Sequence, residues 1–191
     1  MSGIFSSLQS PALNPFSIML RTYLGKHPQV APGCFIEASA QVIGDVAIGE
    51  HSSVWFNAVV RGDVNRIVIG HHTNIQDLCA VHVAQDLHET HIGNYVTFGH
   101  GAIVHGCTIG DHCLIGIGAR VLDGAMIGAE SIVAAGALVP PGMKVPPRSL
   151  LIGMPAKIKR QVTDEEVEFI NQHWKSYHEL KEIYLSDVPK L

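Results

Sequence analysis

From Val30 onward, an apolar residue recurs at every sixth position. The series runs Val30, Ile36, Val42, Ile48, Val54, Val60, then Ile69, Ile75, Val81, then Ile92, Phe98, Val104, then Ile109, Ile115, Val121, Ile127, Val133 and Val139. Small residues, often Gly or Ala, fall between them. A fixed period has to be interpreted before any local propensity. Period six fits neither a heptad nor a simple alternating strand. It is the hexapeptide repeat of a parallel β-helix, in which one hexad makes one side of a triangular prism and three make a coil. The eighteen hexads in this series predict about six coils and a prism about 25–30 Å long.

The register breaks three times. Three extra residues lie between Val60 and Ile69, around Asp63–Arg66; five extra lie between Val81 and Ile92, in AQDLHETH; one is missing between Val104 and Ile109. Insertions in a solenoid become surface loops, often on the functional face. All three breaks fall in or beside the stretch Val60–His105, which carries RGDVN, NIQD, VHV and FGHGAIVH.

On either side of the repeat the pattern changes. Residues 1–29 form an N-terminal arm with no clear periodicity and a short helix expected near Pro15–Leu24. The repeat occupies 30–142. A connector follows, with Pro140, Pro141, Pro146, Pro147 and Pro155, and this segment is expected to leave the prism without further β pairing. Thr163 and Glu166 then form a capping box. Val167, Ile170, Trp174, Tyr177, Lys181 and Tyr184 follow at helical spacing, which predicts a helix over about 163–185 packed along the prism. Connector and helix together span 143–191.

Composition narrows the function. Charged residues are only 16% and the formal net charge is −4, which argues against a nucleic-acid partner. No stretch is apolar and long enough for a membrane span. The four cysteines, Cys34, Cys79, Cys107 and Cys113, include no CxxC pair, so they are expected to be small buried hydrophobes in a soluble cytoplasmic protein. Twelve histidines are more than packing alone explains.

The register places three of those histidines. His82 and His105 each follow an inward valine by one position, and Val81 and Val104 are three hexads apart. Their imidazoles should therefore stack about one strand spacing apart, close enough for one ion to bind both. Arg61 lies one coil earlier in the same column, with Asp63 beside it. His100 is third in the Phe98 hexad, on the neighbouring side of the prism, and Gln76 and Asp77 share that side. If His100 serves the same metal it must come from a second subunit, and a homotrimer with sites between subunits satisfies this.

The motifs VVRGDVN, TNIQD, VHV, GHGAIVHGCTIG and VLDGAMIG resemble those of the gamma-class carbonic anhydrase family, over about Val30–Leu185. The resemblance implies a left-handed parallel β-helix with a C-terminal α-helix. It also implies reversible hydration of carbon dioxide to bicarbonate at a Zn²⁺ (or Fe²⁺ or Co²⁺) held by His82, His100 and His105. By the same resemblance Arg61 and Asp63 are the interface arginine and aspartate. Gln76 is the active-site glutamine, Asp77 the second interface acid, and Tyr177 the C-terminal-helix tyrosine facing the site. The chain lacks the long acidic loop of the best-characterised active members, and Val64 stands where they carry glutamate. Both departures imply slow turnover, with His88, Glu89 and His91 as substitute proton carriers.

Two other functions use the same fold. One is an acyl-CoA thioesterase or acyltransferase, and the PAKIKR segment resembles the C-terminal turn of such enzymes. The other is a non-catalytic assembly subunit.

Overall fold

A computed structural model describes residues 19–187 of the chain. The period-six positions become three columns inside a triangular parallel β-helix. Val42, Val60, Val81, Val104, Val121 and Val139 pair one to the next down the first column. Ile48, Ile69, Ile92, Ile109, Ile127 and Val145 form the second. Ile36, Val54, Ile75, Phe98, Ile115, Val133 and Leu151 form the third. From Val42 onward all of these side chains are buried, whereas Val30 and Ile36, in the open first coil, are only half-buried. Each contributes about 1.5–3 kcal/mol by leaving water, and the β ladder fixes which neighbour it meets.

The prism is longer than expected, at about seven coils instead of six. The proline-rich connector does not leave it. Lys144–Val145 pairs with Met126–Ile127, and Ser149–Ile152 pairs with Ile132–Val133, so Val145 and Leu151 extend the hexad series by two. The prolines fit because of where they fall. One coil earlier, Leu122 and Gly128 donate their N–H groups forward to the carbonyls of Val139 and Val145. Pro140 and Pro146 take the equivalent places in the last coil, on faces where no further strand follows. A missing N–H costs nothing there. The third face ends differently, on an antiparallel strand, Lys157–Gln161.

Two faces of the prism merge into one 12-stranded sheet, and the third is an 8-stranded sheet. The merger comes from two long strands, Gln41–Ile48 and Val59–Ile69, which run round a corner without a break. They stay in register to Gly44↔Gly62 and resume at Val46↔Ile67. The extra residues of the first insertion are pushed outward between those points. Gly44 sits at φ +80°, and a Cβ on it would lie 2.3 Å from the Gly62 carbonyl oxygen, so this corner closes only without side chains. The short helix expected near Pro15–Leu24 begins outside the described residues. Within them, Leu20–Arg21 is a strand paired with Val42–Ile43.

The C-terminal helix spans Asp164–Asp187. Its capping box is formed: Thr163 N–H donates to Glu166 Oε2 at 3.0 Å and Glu166 N–H to Thr163 Oγ1 at 3.3 Å. The helix lies on the 8-stranded face, against Ser53–Val54, Asn74–Ile75 and Thr97–Phe98. Ile170 and Lys181 of the expected stripe are fully buried, and Lys181 is ion-paired with Glu182. Much of the docking surface is a ladder of rings at one corner. His51, His72, Tyr95 and His112 occupy successive left-handed turn positions and stack with centroids 5.1, 5.2 and 4.6 Å apart. Trp174 packs 4.7 Å from Tyr95 and His178 5.0 Å from His72, while Asn171 and His112 share a 3.0 Å hydrogen bond. Four of the twelve histidines therefore serve to dock the helix. Among the described residues, no helix is long and apolar enough to cross a membrane.

Candidate metal centre

His82 and His105 end the strands Ala80–His82 and Ile103–His105, which pair in register with His105 opposite His82. Their facing nitrogens, His82 Nδ1 and His105 Nε2, are 3.1 Å apart. Each ring is anchored at its other nitrogen. His82 Nε2 is 2.9 Å from Asp63 Oδ1, and His105 Nδ1 is hydrogen-bonded to Asp123 Oδ1. Asp63 is itself gripped by Arg61 through Nη1. Desolvation pushes the Asp63 carboxyl up, but hydrogen bonds from His82 and Arg61 and the guanidinium charge outweigh it and hold the group below its ordinary range. Asp63 is thus an anion that accepts from both neighbours. The outward corner between Gly62 and Ile67 places it there.

A second cluster lies on the 8-stranded face. Gln76 and Asp77 follow the strand Asn74–Ile75, and His100 follows Thr97–Phe98 one coil later. His100 Nδ1 is 2.7 Å from Asp77 Oδ2, and the other oxygen, Oδ1, accepts from the Phe56 N–H at 3.2 Å. Gln76 is buried, and its amide nitrogen donates to Asn74 Oδ1 at 3.2 Å; Asn74 Nδ2 in turn donates to Thr97 Oγ1 at 2.9 Å. Gln76, His100 and Tyr177 line one cleft of about 360 Å³ between prism and helix, walled largely by apolar groups including Leu114, Ile117, Ile132 and Phe169. Burial, and to a lesser degree the nearby Asp77 charge, pushes the Tyr177 hydroxyl above its ordinary pKa, so it stays a hydrogen-bond donor.

The eight sequence-predicted residues thus divide into Arg61, Asp63, His82 and His105 on one face and Gln76, Asp77, His100 and Tyr177 on another. Two contributors were not assigned from the motifs. Asn74 shares the outward side of its strand with Gln76, a period-two signal within TNIQD. Asp123, in VLDGAMIG, lies eighteen residues after His105, one nominal coil, but the shortened hexad between them hides the relation.

The donor set fits a metal ion. If His82 gives its Nε2–H to Asp63 and His105 gives its Nδ1–H to Asp123, the facing nitrogens, 3.1 Å apart, both offer lone pairs to a cation. Two imidazoles on one tetrahedral ion, with bonds of about 2.0–2.1 Å, would stand about 3.3 Å apart. Carboxylate-anchored imidazoles are the usual support of such ligands. Among the described residues, no three His, Cys, Asp or Glu side chains of one chain converge on a single ion position. The cysteines take no part: burial pushes the thiols of Cys79, Cys107 and Cys113 up to about 12, and no thiolate is available. In the AQDLHETH loop His91 and Glu89 form an exposed pair at 2.7 Å.

A coiled hexad repeat defines a hexapeptide-repeat protein, and the bacterial transferase hexapeptide (six repeats) family matches residues 27–62 and 106–141. Whole-chain relatives narrow the class. The carbonic anhydrase of Geobacillus kaustophilus is 45% identical over 166 residues, covering 87% of this chain and 91% of that protein. The mitochondrial gamma carbonic anhydrase 2 of Arabidopsis thaliana is 44% identical over 176 residues, covering 90% of this chain but only 63% of that longer protein. Among solved structures, a hexapeptide transferase family protein from Anaplasma phagocytophilum superposes with a TM-score of 0.84 at 40% identity, covering 87% of this chain and 98% of that one. The chain belongs to the gamma-class carbonic anhydrase family of hexapeptide-repeat proteins.

Proposed function

We propose that this chain catalyses the reversible hydration of carbon dioxide to bicarbonate at metal sites shared between the subunits of a homotrimer. The observation that carries the reading is the pair of facing nitrogens 3.1 Å apart on His82 and His105, each ring held by a carboxylate at its other nitrogen, with the third imidazole, His100, on a different face. His82 and His105 of one subunit and His100 of a neighbour would complete a three-imidazole set. Zn²⁺ held by three neutral imidazoles (Fe²⁺ and Co²⁺ suit the same donors) would keep its charge and an open position, and so supply hydroxide near neutral pH.

The protein's own part is to hold and orient. Asp63 and Asp77 fix His82 and His100, and Arg61 fixes Asp63. The buried Gln76 amide, steadied by Asn74, would align carbon dioxide or the product beside His100. Tyr177 would donate a hydrogen bond in the same cleft. His88 and Glu89, in a loop open to water, and His91, exposed on the strand that follows it, would carry the departing proton. Turnover is expected to be slow, because that loop is short and Val64 supplies no carboxylate. The unpaired thiols suit the reducing cytoplasm as its setting.

One observation favours a second reading. The apolar walls of the 360 Å³ cleft offer more room than carbon dioxide needs, and suit attack by the same activated water on a thioester. Metal analysis paired with a carbon dioxide hydration assay on protein purified without air separates the readings. The expected result is a trimer with about one metal per subunit, activity above blank, and loss of metal without unfolding in His82→Ala or His105→Ala. A monomer carrying full metal would overturn the shared site. Absence of hydration with Zn²⁺, Fe²⁺ and Co²⁺ would leave the thioesterase or scaffold reading.

A further inference from the structure

We propose that Asp123 is the positioning residue of His105, fixing which of its ring nitrogens carries the proton. The purpose of this arrangement rests on the metal reading above, but its geometry does not. His105 Nδ1 is hydrogen-bonded to Asp123 Oδ1. Because Val104 pairs with Val121, the residue directly opposite His105 is Leu122, and Asp123 lies opposite Gly106. The carboxylate can reach back to the imidazole only across the bare Cα of Gly106, where a Cβ would sit 2.5 Å from Asp123 Oδ1. The backbone holds this crossing in place: Gly106 N–H donates to the His82 carbonyl at 3.2 Å, and Gly124 N–H donates to the Gly106 carbonyl at 2.7 Å. With one residue missing between Val104 and Ile109, the coil from Val104 to Val121 is seventeen residues long, so Asp123 falls one place beyond His105, opposite Gly106, and meets the imidazole diagonally.

The chemical consequence is a choice of tautomer. Free neutral histidine favours the proton on Nε2, the nitrogen that faces His82 here. A proton there would block the metal position. By accepting Nδ1–H, Asp123 moves the preference to the other nitrogen and turns the Nε2 lone pair toward His82 Nδ1. His82 has its ring held by Asp63, which Arg61 clamps in turn. Among the described residues, Asp123 is the only carboxylate shown on His105, so losing it should leave that ring without a director.

The test reads two quantities on the full chain. One is the His105 tautomer in metal-free protein, from the ¹⁵N shifts of labelled histidine. The other is Zn²⁺ affinity by chelator competition. Wild type should show the Nδ1–H tautomer. Asp123→Asn, whose amide oxygen can still accept Nδ1–H, should keep that tautomer and stay within about threefold of wild-type affinity, whereas Asp123→Ala should move the proton to Nε2 and weaken Zn²⁺ binding about 10–100-fold. If Asp123→Ala does not fold, Asp123→Ser, too short to reach the ring, is read in its place. An unchanged tautomer, or Zn²⁺ affinity equal to wild type in the short-side-chain variant, overturns the proposal. A wild-type chain that takes up no Zn²⁺ would sink the metal reading instead, and the tautomer in metal-free protein would still uphold or overturn the role of Asp123.

Discussion

Replacing Gly44 with alanine tests whether the bare corner of the prism positions the candidate site. Gly44 has φ +80°, and an added Cβ would lie 2.3 Å from Gly62 O, 2.9 Å from Gly62 C and 3.3 Å from Asp63 N. Two costs follow. A non-glycine residue in the left-handed region costs about 1–2 kcal/mol. The contact with Gly62 must also open by about 1 Å to reach ordinary packing distance, and such overpacking costs about 1–3 kcal/mol. The expected loss is therefore about 2–5 kcal/mol. Gly136 provides the control. It has φ +68° with nothing within 4 Å of an added Cβ, so Gly136→Ala should carry only the conformational cost of about 1–2 kcal/mol. Denaturant unfolding of the metal-free protein at one fixed protomer concentration measures both. Because Gly62 joins Arg61 to Asp63, the displaced backbone should also move Asp63 away from His82 and weaken Zn²⁺ binding about tenfold or more. If Gly44→Ala costs no more than Gly136→Ala, or binds Zn²⁺ like wild type, the corner does not position the site.

Phe98→Ala should cost about 3–5 kcal/mol in the same unfolding experiment, at the upper end because the ladders above and below hold Ile75 and Ile115 apart and prevent collapse; a loss below about 1.5 kcal/mol would show that the column repacks. Helix docking should depend on pH. Burial first, and then the neighbouring cationic side chains, among them His51 and Lys181, hold His72 and His178 below the ordinary histidine value. Their folded state therefore binds fewer protons than the unfolded one. The stability they contribute is fully present above about pH 6.5 and is lost as pH falls through 6.5 toward the lowered folded values. Amide exchange over residues 164–187, corrected for intrinsic rates, should speed up at pH 5.5 relative to pH 8 more than in the strands beneath. Equal behaviour of helix and strands would refute the effect. His72→Phe, which keeps the stack but not the charge, should reduce it.

The coil architecture was legible because it depends on one inward residue per hexad, a signal that survives substitution among Val, Ile and Phe. The adjacency of His82 and His105, separated by twenty-three positions, followed from the same count. What escaped lies where the period is silent or slipped. The prolines of the last coil look like an exit from β structure, because a missing N–H matters only when a next strand exists to receive it, and sequence alone does not number the coils. The ring ladder of His51, His72, Tyr95 and His112 sits at corner positions, where the repeat sets no polarity rule and only the docked helix gives the rings a purpose. Asp123 was hidden by the one-residue slip, which moves it from the place opposite His105 to the place opposite Gly106. Tyr177 was accessible through helical spacing, but its shared cleft with Gln76 and His100 required the helix to be placed on the 8-stranded face.

The prolines of the last coil have a further consequence. A stack of parallel strands is open at its ends, and an open end invites a second molecule to add coaxially and extend a fibre. Pro140 and Pro146 delete the forward donors where Leu122 and Gly128 had used them one coil before, and the antiparallel strand Lys157–Gln161 covers the third face. A filament growing by coaxial addition at that end would have to form without those two donors and displace the antiparallel strand.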